Sequence, residues 1–144
     1  MKKIIVNSLQ ETIEFGKMLS QQLSGGDILF LYGELGAGKT TLVKGIAAGF
    51  RIEKETTSPT FALMNIYGIM NQESRIRNLV HIDTYRLKNE NELIEIGALD
   101  YIGKPDTITI IEWPEKIEGL LKNDKIIKIR IEHLDNGRKI IMEN

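Results

Sequence analysis

Short apolar runs alternate along the chain with segments whose apolar residues recur every three or four positions, the rhythm of an α/β domain. Residues 3–6 make a short strand. Ser8, with Glu11 three positions on, forms the reciprocal capping box of a helix start. Leu9, Ile13, Gly16, Leu19 and Leu23 follow at helical spacing, and the pair Gly25 and Gly26 is expected to end the helix. The continuous apolar run DILFLYG has the length of a buried strand. It feeds into GELGAGKTT, after which Leu42, Val43, Ile46 and Ala47 resume helical spacing, with small residues that allow close packing on a sheet.

Beyond the loop EKETTSPT, the β-like stretches FALMNIYGIM and RIRNLVHID flank the turn-rich NQES and predict an antiparallel hairpin. A helix is predicted over residues 90–99. The β-branched run TITIIEW predicts a central strand that stops at Glu112, Trp113 and Pro114, with Pro114 suited to the first turn of a helix. KIIKIRIEHL and RKIIMEN bracket Asp135, Asn136 and Gly137, a hairpin turn in which Asn-Gly would supply positive φ values. With no repeat, linker or low-complexity segment, residues 1–144 form one domain.

Composition narrows the function classes. A chain of 144 residues can bury about 68–70% of its unfolded surface and needs no covalent staple. Cysteine is absent, which excludes a disulfide framework or thiolate metal site, and two histidines make a zinc centre unusual. The N-terminal apolar run is only three residues long, and no stretch approaches a membrane span, so the expectation is a soluble cytoplasmic protein without membrane contact. A net charge of -1 provides no field for direct nucleic-acid binding. Lys122, Lys125, Lys128 and Arg130 alternate with isoleucines and are read as the solvated face of a strand.

Residues 33–40 spell G-x-x-x-x-G-K-T between a buried strand and a helix start, the setting of a P-loop. Gly33, Gly36 and Gly38 would let backbone amides of this segment, those of Leu35 and Ala37 included, turn toward phosphate oxygens, and a β-carbon at the glycines is expected to obstruct the turn. Lys39 would reach the β and γ phosphates, the Thr40 hydroxyl would ligate Mg²⁺ and Thr41 would hydrogen-bond the α phosphate. The fold class is therefore α/β: a single P-loop NTPase domain with a mainly parallel central sheet, helices on both faces and antiparallel hairpin additions.

P-loop enzymes also need a carboxylate at the end of a neighbouring strand, on the metal side of the nucleotide. Glu112 fits that place, its rival role being a cap for the Pro114 helix. Asp83, at the end of another predicted strand, would orient the attacking water or cap the following helix. His81 shares the face of Asp83 and is given no catalytic role. Ser58 and Thr60, around Pro59, form either a γ-phosphate-sensing switch or an ordinary Ser-Pro turn. Trp113 follows Glu112 and should lie close to the nucleotide, although strand alternation would point it to the opposite face.

GELGAGKTT, TSPTF, HIDTYRL and IIEWPE, in that order, resemble the bacterial TsaE family of tRNA threonylcarbamoyladenosine biosynthesis ATPases, over about residues 8–130. The resemblance implies ATP and Mg²⁺ as ligands and slow hydrolysis by the chain alone. It also implies work with a complex of TsaD and TsaB that transfers a threonylcarbamoyl group to adenosine 37 of tRNA, the tRNA being held by the partners. Carried over, Lys39, Thr41, Thr60 and Trp113 belong to the nucleotide site, Thr40 and Glu112 to Mg²⁺, and Asp83 to the attacking water. A small-metabolite kinase is the rival enzyme class, but the arginines are scattered and form no lid. A guanine-reading N-K-x-D is missing, since the nearest string, GKPD at residues 103–106, lacks the asparagine and precedes a strand.

Overall fold

The computed structural model describes residues 1–57, 59, 63–71, 73–121 and 125–143. The elements run β1 (Lys2–Val6), α1 (Leu9–Ser20), β2 (Ile28–Tyr32), α2 (Lys39–Gly49), β3 (Met64–Gly68), β4 (Asn78–Asp83), α3 (Glu90–Glu95), β5 (Thr107–Glu112), β6 (Ile126–Leu134) and β7 (Gly137–Glu143). The strands form a seven-stranded sheet in the order β1-β7-β6-β2-β5-β4-β3. Its centre, β6-β2-β5-β4, is parallel, and antiparallel pairs extend it through β3 on one side and through β7 and β1 on the other.

All five residues of β2 are buried because helical layers cover both faces of the central strands. On one face Leu29 and Leu31 pack with Phe15 and Leu19 of α1 and Leu42 and Ile46 of α2. On the other, Ile28, Phe30, Val80, Ile82 and Ile111 pack under Leu93 of α3, the short 3₁₀ turns that carry Ala98 and Leu121, and Ile117, which caps the turn Pro114–Lys116. Gly45 of α2 lets the neighbouring helix approach closely, since a β-carbon there would lie 2.4 Å from the Ile13 carbonyl oxygen of α1. Among the described residues, no helix is long and apolar enough to cross a membrane.

Local chemistry adjusts several expected boundaries. Ser8 caps α1 by accepting from the Glu11 amide at 3.1 Å, but the Glu11 carboxylate reaches back to the amide of Asn7 instead of that of Ser8. The helix ends at Ser20, before the glycine pair, because the amides of Gln21 and Gln22 turn to the i−3 carbonyls of Met18 and Leu19. Leu23 therefore lies beyond the helix. α3 is capped by Asn89 and stops at Glu95, ahead of Gly97 with its φ of 81°. Leu134 pairs with Gly137, leaving Asp135 and Asn136 as the hairpin loop, and neither Asn136 nor Gly137 adopts a positive φ. Glycine is needed at 137 for space, since a β-carbon there would lie 2.3 Å from the Val6 carbonyl oxygen.

Candidate nucleotide-binding site

β2 hands its chain to the glycine loop, and α2 begins at Lys39 with Gly38 as a left-handed N-cap, φ 110°, that has no side-chain hydrogen bond. The first α-helical bond runs from the Leu42 amide to the Gly38 carbonyl at 3.0 Å. A helix opened in this way turns its first-turn amides and the positive end of its dipole toward whatever lies in front. In front lies a cavity of about 490 Å³. Gly36 has φ 80°, and a β-carbon at Gly36 or Gly38 would meet nothing within 4 Å. Crowding is thus not what demands glycine at these two positions; the left-handed backbone is. At Gly33 the expected obstruction is real, 2.9 Å from the Ile131 carbonyl oxygen.

Lys39 is buried, donates from Nζ to the Gly33 carbonyl at 2.7 Å and lies 3.8 Å from the centroid of the Trp113 ring. Burial lowers the ammonium below the ordinary lysine value, while the carboxylates of Glu112, Asp83 and Glu115 work in the opposite direction. An ammonium held by one carbonyl and an aromatic face has hydrogen-bonding capacity left for an anion.

The parallel register pairs Asp83 at the end of β4 with Glu112 at the end of β5, and Glu112 with Leu31 of β2. Both carboxylates therefore stand at the carboxyl ends of strands, where α/β sheets bind ligands. Strand alternation places them on the face that carries α2, with Leu79 and Ile110 behind them. Glu112 is buried, and its Oε2 lies 2.6 Å from Nε2 of His81. It caps no helix: the 3₁₀ turn Pro114–Lys116 opens at Trp113 without a side-chain cap. Asp83 accepts from the Tyr85 amide at 2.9 Å, closing a tight turn and not a helix, and also lines the cavity. Burial raises the Asp83 carboxyl above its ordinary value; the Tyr85 hydrogen bond opposes this, and the neighbouring Glu112 adds to it.

β5 ends at Glu112, so strand alternation no longer governs Trp113. It takes left-handed φ 58° and ψ 49°, a conformation that costs a non-glycine residue roughly 1–3 kcal/mol. Thr84, wholly buried, secures it: the hydroxyl donates to the carbonyl of Trp113 and to that of Glu112, the latter at 3.0 Å. The reversal brings the indole over Lys39 and 5.0 Å from the Tyr85 ring, and Trp113 lines the cavity.

Leu35, Gly36, Gly38, Lys39, Thr40 and Thr41 share this cavity with Asp83, Glu112 and Trp113. Gly33 and Ala37 stand behind it, Gly33 as the acceptor for Lys39 and Ala37 fully buried. Ser58 and Thr60 lie outside the described residues. The far wall was not expected: Asn7, Ser8, Asn136 and Arg138 complete the cavity, and Arg138 Nε donates to the Ala37 carbonyl at 3.1 Å. Among the described residues no group of three or more His, Asp and Glu could hold a metal alone. One carboxylate and one hydroxyl, Glu112 and Thr40, match the sparse donor set of a Mg²⁺ that takes its remaining ligands from phosphate and water.

The family model described as threonylcarbamoyl adenosine biosynthesis protein TsaE matches residues 6–140. The chain belongs to the TsaE family. It is 33% identical over 139 residues to the tRNA threonylcarbamoyladenosine biosynthesis protein TsaE of Treponema pallidum, covering 96% of this chain and 97% of that one. Its identity to the TsaE protein of Rickettsia typhi is 36% over 137 residues, 94% of this chain and 89% of the other. The crystal structure of Bacillus subtilis YdiB superposes with a TM-score of 0.68 at 27% identity, over 96% of this chain and 82% of that one. In this TsaE-family chain GELGAGKTT, the ends of β4 and β5 and the turn at Trp113 all converge on one cavity.

Proposed function

We propose that this chain binds Mg-ATP in the cavity before α2 and hydrolyses it slowly, supporting tRNA threonylcarbamoyladenosine biosynthesis in the cytoplasm together with TsaD and TsaB. The observation that carries the nucleotide reading is the convergence of Lys39, Thr40, Asp83 and Glu112 on a cavity faced by a helix start without a side-chain cap. The relatives' names support the pathway. With a net charge of -1, the chain leaves tRNA to its partners.

In this reading Lys39 exchanges the Gly33 carbonyl for phosphate oxygens, and the amides of the glycine loop and the first turn of α2 cradle the same anion. Thr40 and Glu112 would hold Mg²⁺, which would supply positive charge against the charge that develops on the phosphate. Asp83, half-buried beside Glu112, accepts a hydrogen bond from the attacking water. Asn7, Ser8, Asn136 and Arg138 offer amide, hydroxyl and guanidinium groups to the nucleoside. The deciding assay combines the chain with TsaD, TsaB, ATP and tRNA. Free phosphate and modified tRNA that both depend on this subunit are expected; a phosphorylated small molecule would make it a kinase instead.

Asp83→Asn is expected to leave ATP affinity within about twofold while lowering turnover about 10- to 100-fold, since Asn keeps the Tyr85 contact but not the charge. The same variant has a stability signature. A carboxyl whose folded pKa is raised binds more protons folded than unfolded, so ionising Asp83 costs stability as pH rises from its ordinary value through the folded one. Thermal unfolding of the nucleotide-free variant should show a gain over the parent at neutral pH that disappears below the ordinary aspartate range. Equal melting at both pH values would mean that Asp83 is not strained by burial.

A further inference from the structure

We propose that His81 is a positioning residue for the metal-side carboxylate, fixing Oε2 of Glu112 through Nε2 so that Oε1 is presented to the cation; the inference rests on the metal-side reading of Glu112. Register makes the pair: Asp83 lies opposite Glu112, so His81 falls one diagonal step away on the same face. The side chains retain only 1% and 4% of their exposure and meet at 2.6 Å. As a metal ligand Glu112 would act as a carboxylate, which only accepts, so in this proposal Nε2 is the donor.

The other ring nitrogen argues against a purely structural histidine. Nδ1 is buried without a hydrogen-bond partner among the described residues. Buried polar groups that serve a fold are satisfied, and each orphan costs stability. The neighbours Leu79, Val80 and Ile82 show that this strand accepts apolar residues. The polar contact that distinguishes position 81 from them is the one to Glu112. A glutamate has three side-chain torsions, and a fixed donor on one oxygen removes most of that freedom before the ion arrives. Outer partners of this kind typically change metal affinity about 10- to 100-fold.

Substitution separates the positioning role from packing. The amide nitrogen of a glutamine lies as many bonds from Cα as Nε2 of histidine, whereas that of an asparagine reaches only as far as Nδ1. Mg²⁺ would be titrated into the full-length protein with ADP, and ADP affinity measured by calorimetry with and without the metal. His81→Leu and His81→Asn should lose about 10- to 100-fold in Mg²⁺ affinity, with metal-free ADP affinity within about twofold of the parent, and His81→Gln should restore most of the loss. Should His81→Leu fail to fold, the contrast between Gln and Asn decides. Equal Mg²⁺ affinity in all variants, or an equal loss with and without the metal, overturns the proposal. Glu112→Gln is measured in parallel. If it loses Mg²⁺ affinity while His81→Leu does not, the positioning role alone fails; if neither loses it, the metal-side reading of Glu112 fails as well.

Discussion

Lys39→Ala is expected to abolish most nucleotide binding. In the folded chain its ammonium is buried, held by a single carbonyl and an indole face, at a cost that an arriving phosphate relieves. Charge-assisted hydrogen bonds are worth roughly 1.5–3 kcal/mol each, so loss of even one corresponds to about ten- to a hundredfold in affinity. Calorimetry with a non-hydrolysable ATP analogue measures it directly. Trp113 supplies an optical readout, because the exchange of Gly33 for phosphate moves the Lys39 ammonium that lies against the only tryptophan. Emission should change saturably with Mg-ADP in the parent and stay flat in the variant. Unchanged affinity and turnover together would remove the glycine loop from the site.

The same lysine sets a pH signature with the opposite sign to that of Asp83. Its folded value is lowered, so between that value and the ordinary lysine range the unfolded chain binds more protons and stability rises with pH. Lys39→Ala should flatten this rise in a series of thermal melts across the alkaline range.

The nucleotide side of the site was legible in sequence because it is local. Residues 33–41 are contiguous, and the turn, the helix start and the lysine all follow from one stretch of chain. Glu112 and Asp83 were legible as strand ends, and the parallel register makes them neighbours. What sequence reasoning missed depends on elements distant in the chain. Arg138 reaches Ala37 only because β7 lies beyond β6 in the sheet and returns the C-terminal hairpin to the glycine loop. Trp113 lies on the cavity side because β5 ends at Glu112 and Thr84 holds a reversal there, a contact between distant segments that strand alternation does not encode. His81 offered no local signal beyond its place in HIDTYRL; its contact with Glu112 is created by pairing of β4 with β5. The fold followed the same division, with the strands evident from their apolar runs and the helix ends displaced by hydrogen bonds that periodicity does not encode.

Glu112→Gln should separate metal chemistry from nucleotide binding. Glutamine preserves the volume and offers a carbonyl oxygen that accepts from His81, so the buried contact and the end of β5 should survive. Only the negative charge is removed. In metal-free solution that charge stands near Lys39 and favours its ammonium form, so its loss weakens the phosphate-binding cation only slightly, and ADP affinity without Mg²⁺ should change by less than about threefold. With Mg²⁺ the expectation is different. A ligand that stabilises several kcal/mol of developing charge through the ion corresponds to a rate loss of about a hundredfold or more. Hydrolysis would be followed by phosphate release across a Mg²⁺ titration with TsaD, TsaB and tRNA present, beside calorimetry with and without the metal. Partial recovery at high Mg²⁺ would locate the defect in metal affinity, and none would locate it in the geometry of the bound ion. A normal rate at every Mg²⁺ concentration would release Glu112 from the metal and make Asp83, its partner across the strand register, the carboxylate to test next.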